Sequence, residues 1–292
     1  MSRAPELKRA ALDGIELAYW DWPGAGPPLL FVHATGFHGR CWDQIVRHFP
    51  GRRAIAPDMR GHGRSPKPDP PYHWMSFGRD LARLIRALDL REAFGIGHSM
   101  GGHSLIGAAA ELPPETFTSL LLVDPTVFTR ERYGTPARDA SFIARRRNVF
   151  ESPAKMYERF AGRLPFSRWN PDVLRDYCEF GLVERGDHYV LACPPEIERS
   201  IYGHSTEADA DLHPLLAFIR QPVTVIRGGI LPSEEVFNLD SSPTDPALAN
   251  AFAHGRDVFL EGRSHYIPME TPELVAEYVQ GMSTAPLVAD IN

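Results

Sequence analysis

The chain has 292 residues, 43% hydrophobic and 23% charged, with a formal net charge of -6. That size and balance fit one α/β domain carrying an insertion, and the acidic balance argues against the basic face that nucleic-acid binding requires. No stretch is long and apolar enough to span a bilayer, and MSRAPELKRAALDG at the start has no signal-peptide core, so a soluble, cytoplasmic protein with no nucleic-acid or membrane partner is expected.

In chain order, GIELAYWDW (14–22) reads as an early strand. PPLLFVHA (27–34) is a continuous apolar run, as in a strand buried on both faces. RRAIAPD (52–58), AFGIGHS (93–99), SLLLVDP (119–125), QPVTVIRGG (221–229) and RDVFLEG (256–262) continue the series. Amphipathic patterns lie between them. The clearest is 75–90, where Phe77, Leu81, Leu84, Ile85 and Leu88 share one stripe. Ser99 to Ala110 and Pro272 to Met282 also read as helices. This alternation predicts a mostly parallel sheet covered on both faces.

The alternation stops between about Phe128 and His213. This segment reads as helical, with Asn170 and Pro171 as a helix start, and it is rich in aromatic residues. The expected organisation is a core over 1–127 and 214–292, with a helical lid over 128–213. The densest basic run, Arg145-Arg146-Arg147, reads as a solvated helix face. Cys41, Cys178 and Cys193 are too scattered for a zinc site or a disulfide framework, and Cys41 reads as a small packing residue. With no metal-ligand cluster and no phosphate loop, neither metal nor cofactor is expected.

IGHSMGGHS (96–104) carries the chemistry. Gly97, Ser99 and Gly101 form G-x-S-x-G between a strand and a helix, the turn on which a serine nucleophile sits in strained backbone among small neighbours. The helix that follows aims free N–H groups at the reaction site. FVHATGFHG (31–39) is a second glycine-bearing loop at a strand end. Its Thr35 N–H, with that of Met100, can form an oxyanion hole. Of the 12 histidines, His265 stands alone on a loop between the last strand and the last helix, where an imidazole can activate Ser99. His33, His38, His98 and His103 read as polar packing, with His38 able to line the pocket.

These motifs, together with DMRGHGRS (58–65), VDP (123–125) and SHYIPMETPE (264–273), resemble the α/β-hydrolase superfamily in order and extent. The esterase, haloperoxidase-like and carbon–carbon-bond hydrolase branches are the nearest in pattern. The resemblance implies an eight-stranded, mostly parallel sheet with a helical cap after strand six. It also implies Ser99 as nucleophile, His265 as base, and Thr35 and Met100 as oxyanion donors. In DMRGHGRS it makes Asp58, Arg60, His62 and Ser65 structural, Arg60 tying loops together.

The acid departs from the family pattern. Its usual place after strand seven falls near Leu231, which cannot orient an imidazole. Asp124, at the end of SLLLVDP, is favoured; Glu234 and Glu235 are the alternatives, and Asp240 lies further along. The expected activity is cleavage of a carboxylic ester or related acyl substrate through an acyl-enzyme. Phe37, His38, Phe166 and Trp169 are candidates for an apolar, aromatic pocket. A lactonase or carbon–carbon hydrolase with the same triad, and a ligand-binding protein that has lost turnover, are the alternatives. The sequence does not mark an oligomeric state.

Overall fold

The computed structural model describes residues 4–137, 139–229 and 240–284. The strands β1 (Glu6–Leu12), β2 (Ile15–Trp22), β3 (Ala25–Val32), β4 (Arg52–Pro57), β5 (Ala93–His98) and β6 (Phe117–Val123) come first, with helices α1 (Asp43–Val46), α2 (Trp74–Ala87) and α3 (Met100–Glu111) among them. After β6 the chain leaves the sheet through α4 (Ser141–Ala144), β7 (Val149–Phe150), α5 (Pro153–Phe160), α6 (Pro171–Phe180), β8 (Leu182–Arg185), β9 (His188–Leu191), α7 (Pro195–Gly203) and α8 (His213–Leu216). It returns as β10 (Val223–Gly228) and β11 (Gly255–Leu260), then ends in α9 (Ile267–Glu270) and α10 (Pro272–Thr284).

Eight strands form one sheet in the order β1-β2-β4-β3-β5-β6-β10-β11. The β1–β2 and β2–β4 pairings are antiparallel and the other five are parallel. Alternate side chains of each central strand feed opposite layers. Leu30 and Val32 of β3 join Leu120 and Leu122 of β6 in the core under α2 and α3. Leu29 and Phe31 join Leu121 and Val123 in the core under α1 and α10. That two-sided burial is why these strands read as unbroken apolar runs.

The sheet order reverses direction at β3. From β3 the chain steps to β4 on one side, then crosses to β5 on the other. The loops leaving the carboxyl ends of β3 and β5 therefore diverge and open a crevice between them, the usual ligand site of an open parallel sheet. The β3 loop carries Thr35, and the β5 turn carries Ser99.

Two features depart from the sequence reading. β1 is an additional edge strand whose side chains are mostly exposed, so no apolar alternation announces it. Charged side chains protect this edge: Lys8 pairs with Asp21 at 2.9 Å and Arg9 with Glu16 at 3.0 Å. The segment after β6 also contains a small antiparallel sheet, β7-β9-β8. Its β8–β9 hairpin closes through Gly186-Asp187 between the paired Arg185 and His188. Gly186 has φ +64°, which a two-residue hairpin turn requires. No helix among the described residues is long and apolar enough to cross a membrane.

The turn at Ser99 is also closely packed against its neighbours. A Cβ on Gly101 would lie 2.1 Å from the carbonyl oxygen of Val32, and one on Gly97 would lie 2.6 Å from the carbonyl oxygen of Gly101. Both neighbours are backbone and cannot swing aside. Gly101→Ala is therefore expected to destabilise the fold by at least about 1–3 kcal/mol, as overpacking does. A urea titration reads this directly, and an unchanged midpoint would contradict the packing.

Candidate functional site

Ser99 occupies φ 55°, ψ -118°, outside any comfortable region for a residue with a side chain. The surroundings impose this geometry. The Ser99 N–H donates to the Val123 carbonyl at 3.1 Å, and its own carbonyl accepts from Gly102, His103 and Thr126. The backbone is thus fixed on both sides of the strained residue. The turn projects the hydroxyl into the crevice.

Three of the side chains singled out in the sequence converge there. Ser99 Oγ lies 2.9 Å from Nε2 of His265, and Nδ1 of His265 lies 2.7 Å from Oδ2 of Asp124. Asp124 is fully buried, and its other oxygen, Oδ1, accepts from the Gly228 N–H at 3.0 Å and Ser242 Oγ at 2.6 Å, while Thr244 Oγ1, 3.2 Å away, makes its shorter bond of 2.7 Å to the Pro125 carbonyl. A buried carboxylate needs such compensation to stay ionised. With that carboxylate accepting from Nδ1–H, Nε2 becomes the acceptor for the Ser99 hydroxyl. The Thr126 hydroxyl, 3.0 Å from Ser99 Oγ, then donates to it. Asp124 has φ 45°, a left-handed conformation that aspartate tolerates better than most residues.

His265 is aimed from behind by backbone contacts. Its N–H donates to the Asp240 carbonyl at 2.7 Å, and its carbonyl accepts from His98 Nε2 at 2.8 Å. Asp240 thus serves through its main chain, while its carboxylate faces Arg168 at 3.6 Å. Glu234 and Glu235, the alternative acids, lie outside the described residues, as does Leu231.

The Thr35 loop is a four-residue turn. The Phe37 N–H donates to the Ala34 carbonyl at 3.1 Å, and Gly36 supplies the φ of +82° that the third position of such a turn demands. The Gly36 N–H is taken by His62 Nε2 at 3.0 Å. The Thr35 N–H has no acceptor among the described residues. Nor has that of Met100, which opens α3 and so has no partner one turn back. These are the two donors expected from the sequence.

The DMRGHGRS segment braces this loop. Asp58 accepts from the Gly39 N–H at 2.7 Å and the Arg64 N–H at 2.8 Å. His33 Nε2 accepts from the Met59 N–H at 3.0 Å. Arg60 binds the buried Asp80 through two hydrogen bonds of 2.5 and 2.8 Å.

A cavity of about 420 Å³ opens from Thr35 into the segment inserted after β6. Phe37, Phe166 and Trp169 line it as expected, joined by Tyr177 and Tyr266. His38 does not line it. Its Nε2 instead meets the Tyr177 carbonyl at 3.2 Å and its ring stacks on Tyr177, behind the cavity wall. Cys41 packs beside it, buried. The reading of Arg145–Arg147 as a solvated helix face holds in part: Arg145 and Arg147 are exposed, but α4 ends at Ala144, Arg146 is half-buried and paired with the buried Glu198, and all three also line the cavity. Glu198, Thr126, Ser242 and Thr244 were missed because nothing local in the sequence marks them; each acts on a residue far away in the chain. Elsewhere, His73, His204 and Glu207 bring three potential metal-ligand atoms within 4.8 Å at the surface. His73 and Glu207 already satisfy each other at 2.8 Å.

A match to the model of the alpha/beta hydrolase family covers residues 29–278, and the chain belongs to that family. Among individual proteins, it is 28% identical over 263 residues to 2-(acetamidomethylene)succinate hydrolase of Mesorhizobium japonicum, covering 88% of this chain and 87% of that protein. It is 39% identical over 114 residues to a non-heme chloroperoxidase of Streptomyces lividans, but that match spans only 41% of the relative. The fold resembles the crystal structure of E-2-(acetamidomethylene)succinate hydrolase, with a TM-score of 0.74 and 23% identity over 96% of this chain and 100% of that one. It also resembles the enol-lactonase of Burkholderia xenovorans, with a TM-score of 0.67 and 23% identity over 95% and 100% of the two chains.

Burial holds several histidines of this region neutral. It pushes His38 down to about 3 and His103 to about 4 from the ordinary 6.5, and it lowers His33, His62 and His98 as well. The unfolded chain therefore binds more protons than the folded one below about pH 6.5. The histidine contribution is fully present above that pH and is lost as pH falls toward 4, by about 1.4 kcal/mol per pH unit per histidine. Urea midpoints should drop steeply between pH 7 and 5, and less steeply in His103→Gln; a flat profile would contradict the assignment.

Proposed function

We propose that the protein is a serine hydrolase that cleaves a carboxylic ester, open-chain or cyclic, through an acyl-enzyme. The observation that carries this reading is the continuous hydrogen-bond relay Ser99–His265–Asp124, at 2.9 and 2.7 Å, beside two backbone N–H groups without acceptors among the described residues. A relay of this kind activates a hydroxyl that is otherwise a poor nucleophile.

In the proposed reaction Ser99 Oγ attacks the carbonyl carbon while His265 Nε2 takes the hydroxyl proton. Asp124 holds the imidazole in the correct tautomer and stabilises its cation. The carbonyl oxygen becomes an oxyanion held by the N–H groups of Thr35 and Met100, each such donor being worth about 10² to 10³ in rate. The intermediate collapses, the carbon–oxygen bond to the alcohol breaks, and His265 protonates the departing oxygen. A water molecule, deprotonated by His265, then releases the acid and restores Ser99.

The segment between β6 and β10 serves in this reading as the cap. Its Trp169 and Tyr177 pack against Phe37 of the oxyanion loop and its Trp169 against Tyr266, next to the base. Such contacts shield the reacting atoms from bulk water and give the substrate an apolar wall. The intact relay also weighs against a binding protein without turnover, because strained backbone of this kind clusters at active sites.

Asp124→Asn should lower kcat by about 10⁴, the cost of losing the correct tautomer in such a relay. Glu234→Gln, Glu235→Gln and Asp240→Asn should leave it nearly intact. Steady-state kinetics on a 4-nitrophenyl ester reads all four, and equal losses across them would contradict Asp124 as the acid.

A further inference from the structure

The cavity has a charge pattern that ester hydrolysis alone does not require. Five arginines line it, Arg145, Arg146, Arg147, Arg159 and Arg163, against the one carboxylate of Glu198. The protein as a whole is acidic, with a net charge of -6, so this concentration is local. The tyrosines among the lining residues, Tyr177, Tyr202 and Tyr266, are held neutral by burial and offer no counter-charge.

Some cations of the same segment are paired and others are not. Lys155 meets Glu158 at 2.7 Å, Arg168 meets Asp240 at 3.6 Å, and Arg175 binds Asp172. Arg145, Arg159 and Arg163 have no carboxylate within 4 Å among the described residues. Arg147 spends only its Nε on the Val149 carbonyl and rests over Phe150. Arg146 is the exception, anchored on Glu198. Glu198 in turn abuts the oxyanion turn: a Cβ on Gly36 would lie 3.2 Å from its Oε1. The arginine cluster is thus tied directly to the loop that carries Thr35.

Gathering guanidiniums without partners costs stability through their mutual repulsion. A bound anion would remove that cost, and the planar fork of each guanidinium matches a carboxylate through paired N–H bonds. The aromatic side chains opposite accommodate the body of a small acid. We propose that this cavity is a carboxylate-recognition site, so that the substrate is an acid bearing the scissile acyl bond, its free carboxylate held by Arg159, Arg163 and the Arg145–Arg147 run. The proposal rests on the hydrolase reading for the scissile bond, but not for the anion site.

Calorimetric titration of the whole protein with glutarate tests it, with the uncharged glutaramide as the shape-matched control and inorganic phosphate as the competing anion. Glutarate should bind at least about tenfold more tightly than glutaramide, as charge-assisted bonds require. Its affinity should fall with added salt. The double variant Arg159→Gln/Arg163→Gln should weaken glutarate by about tenfold or more and leave glutaramide unchanged. Both side chains are exposed and unpaired in the described structure, so the variant should fold, which its thermal midpoint verifies. Equal binding of glutarate and glutaramide would overturn the proposal, as would phosphate binding more tightly than glutarate. Glutarate binding by a protein that hydrolyses no ester would keep the anion site and remove the hydrolase reading. Ester turnover with no glutarate binding would do the reverse.

Discussion

Everything at this site depends on the backbone of Ser99 being held at φ 55°. A residue with a Cβ does not stay in such a conformation unless its surroundings over-determine it. The turn is fixed through Val123 on one side and through Gly102, His103 and Thr126 on the other. It is packed so closely against β3 that Gly101 has no room for a side chain. The same packing that strains Ser99 puts the amino end of α3 and the Met100 N–H beside the β3 loop and the Thr35 N–H, neither of which has an acceptor among the described residues. The placement of the Ser99 hydroxyl and of these two N–H groups therefore follows from one local constraint, set at the point where the strand order reverses.

The second layer is polar and buried. Asp124, Asp58, Asp80 and Glu198 are nearly inaccessible, and each has specific donors. Removing a partner from such a group costs far more than the pair contributes when complete. Asp58 and His62 hold the oxyanion loop, Asp80 holds Arg60, and Glu198 holds Arg146 against the cavity. This network ties the loops around the crevice to buried charges by specific hydrogen bonds, the kind of support that positions groups before a ligand arrives.

The parts of this arrangement visible in the sequence are those whose cause is local. The glycines around Ser99 and Gly36 are there because a turn needs them, and a turn is written in consecutive residues. The central strands were readable because burial on both faces leaves an unbroken apolar run. β1 was not, because an edge strand with exposed side chains carries no such signature. The hairpin of β8 and β9 had a signal in Gly186-Asp187 that the surrounding helical patterns obscured. Asp124 is favoured as the partner of His265 because no acid stands at the usual place after strand seven, but its reach across the sheet from β6 to the His265 loop is visible only in the fold. Of Arg145–Arg147, the solvated reading misses only Arg146, since nothing local in a basic run marks which member meets the distant Glu198. His38 looked like a pocket residue by its place beside Phe37, yet its ring turned to pack against Tyr177.

The central claim is that Ser99 is an activated nucleophile. Incubating the protein with a fluorophosphonate and locating the adduct by peptide mass spectrometry tests it most directly, because the label reads nucleophilicity without knowledge of the substrate. The account predicts a single adduct on Ser99 that is lost in His265→Ala. A folded protein that takes no label, or that is labelled equally without His265, would contradict it.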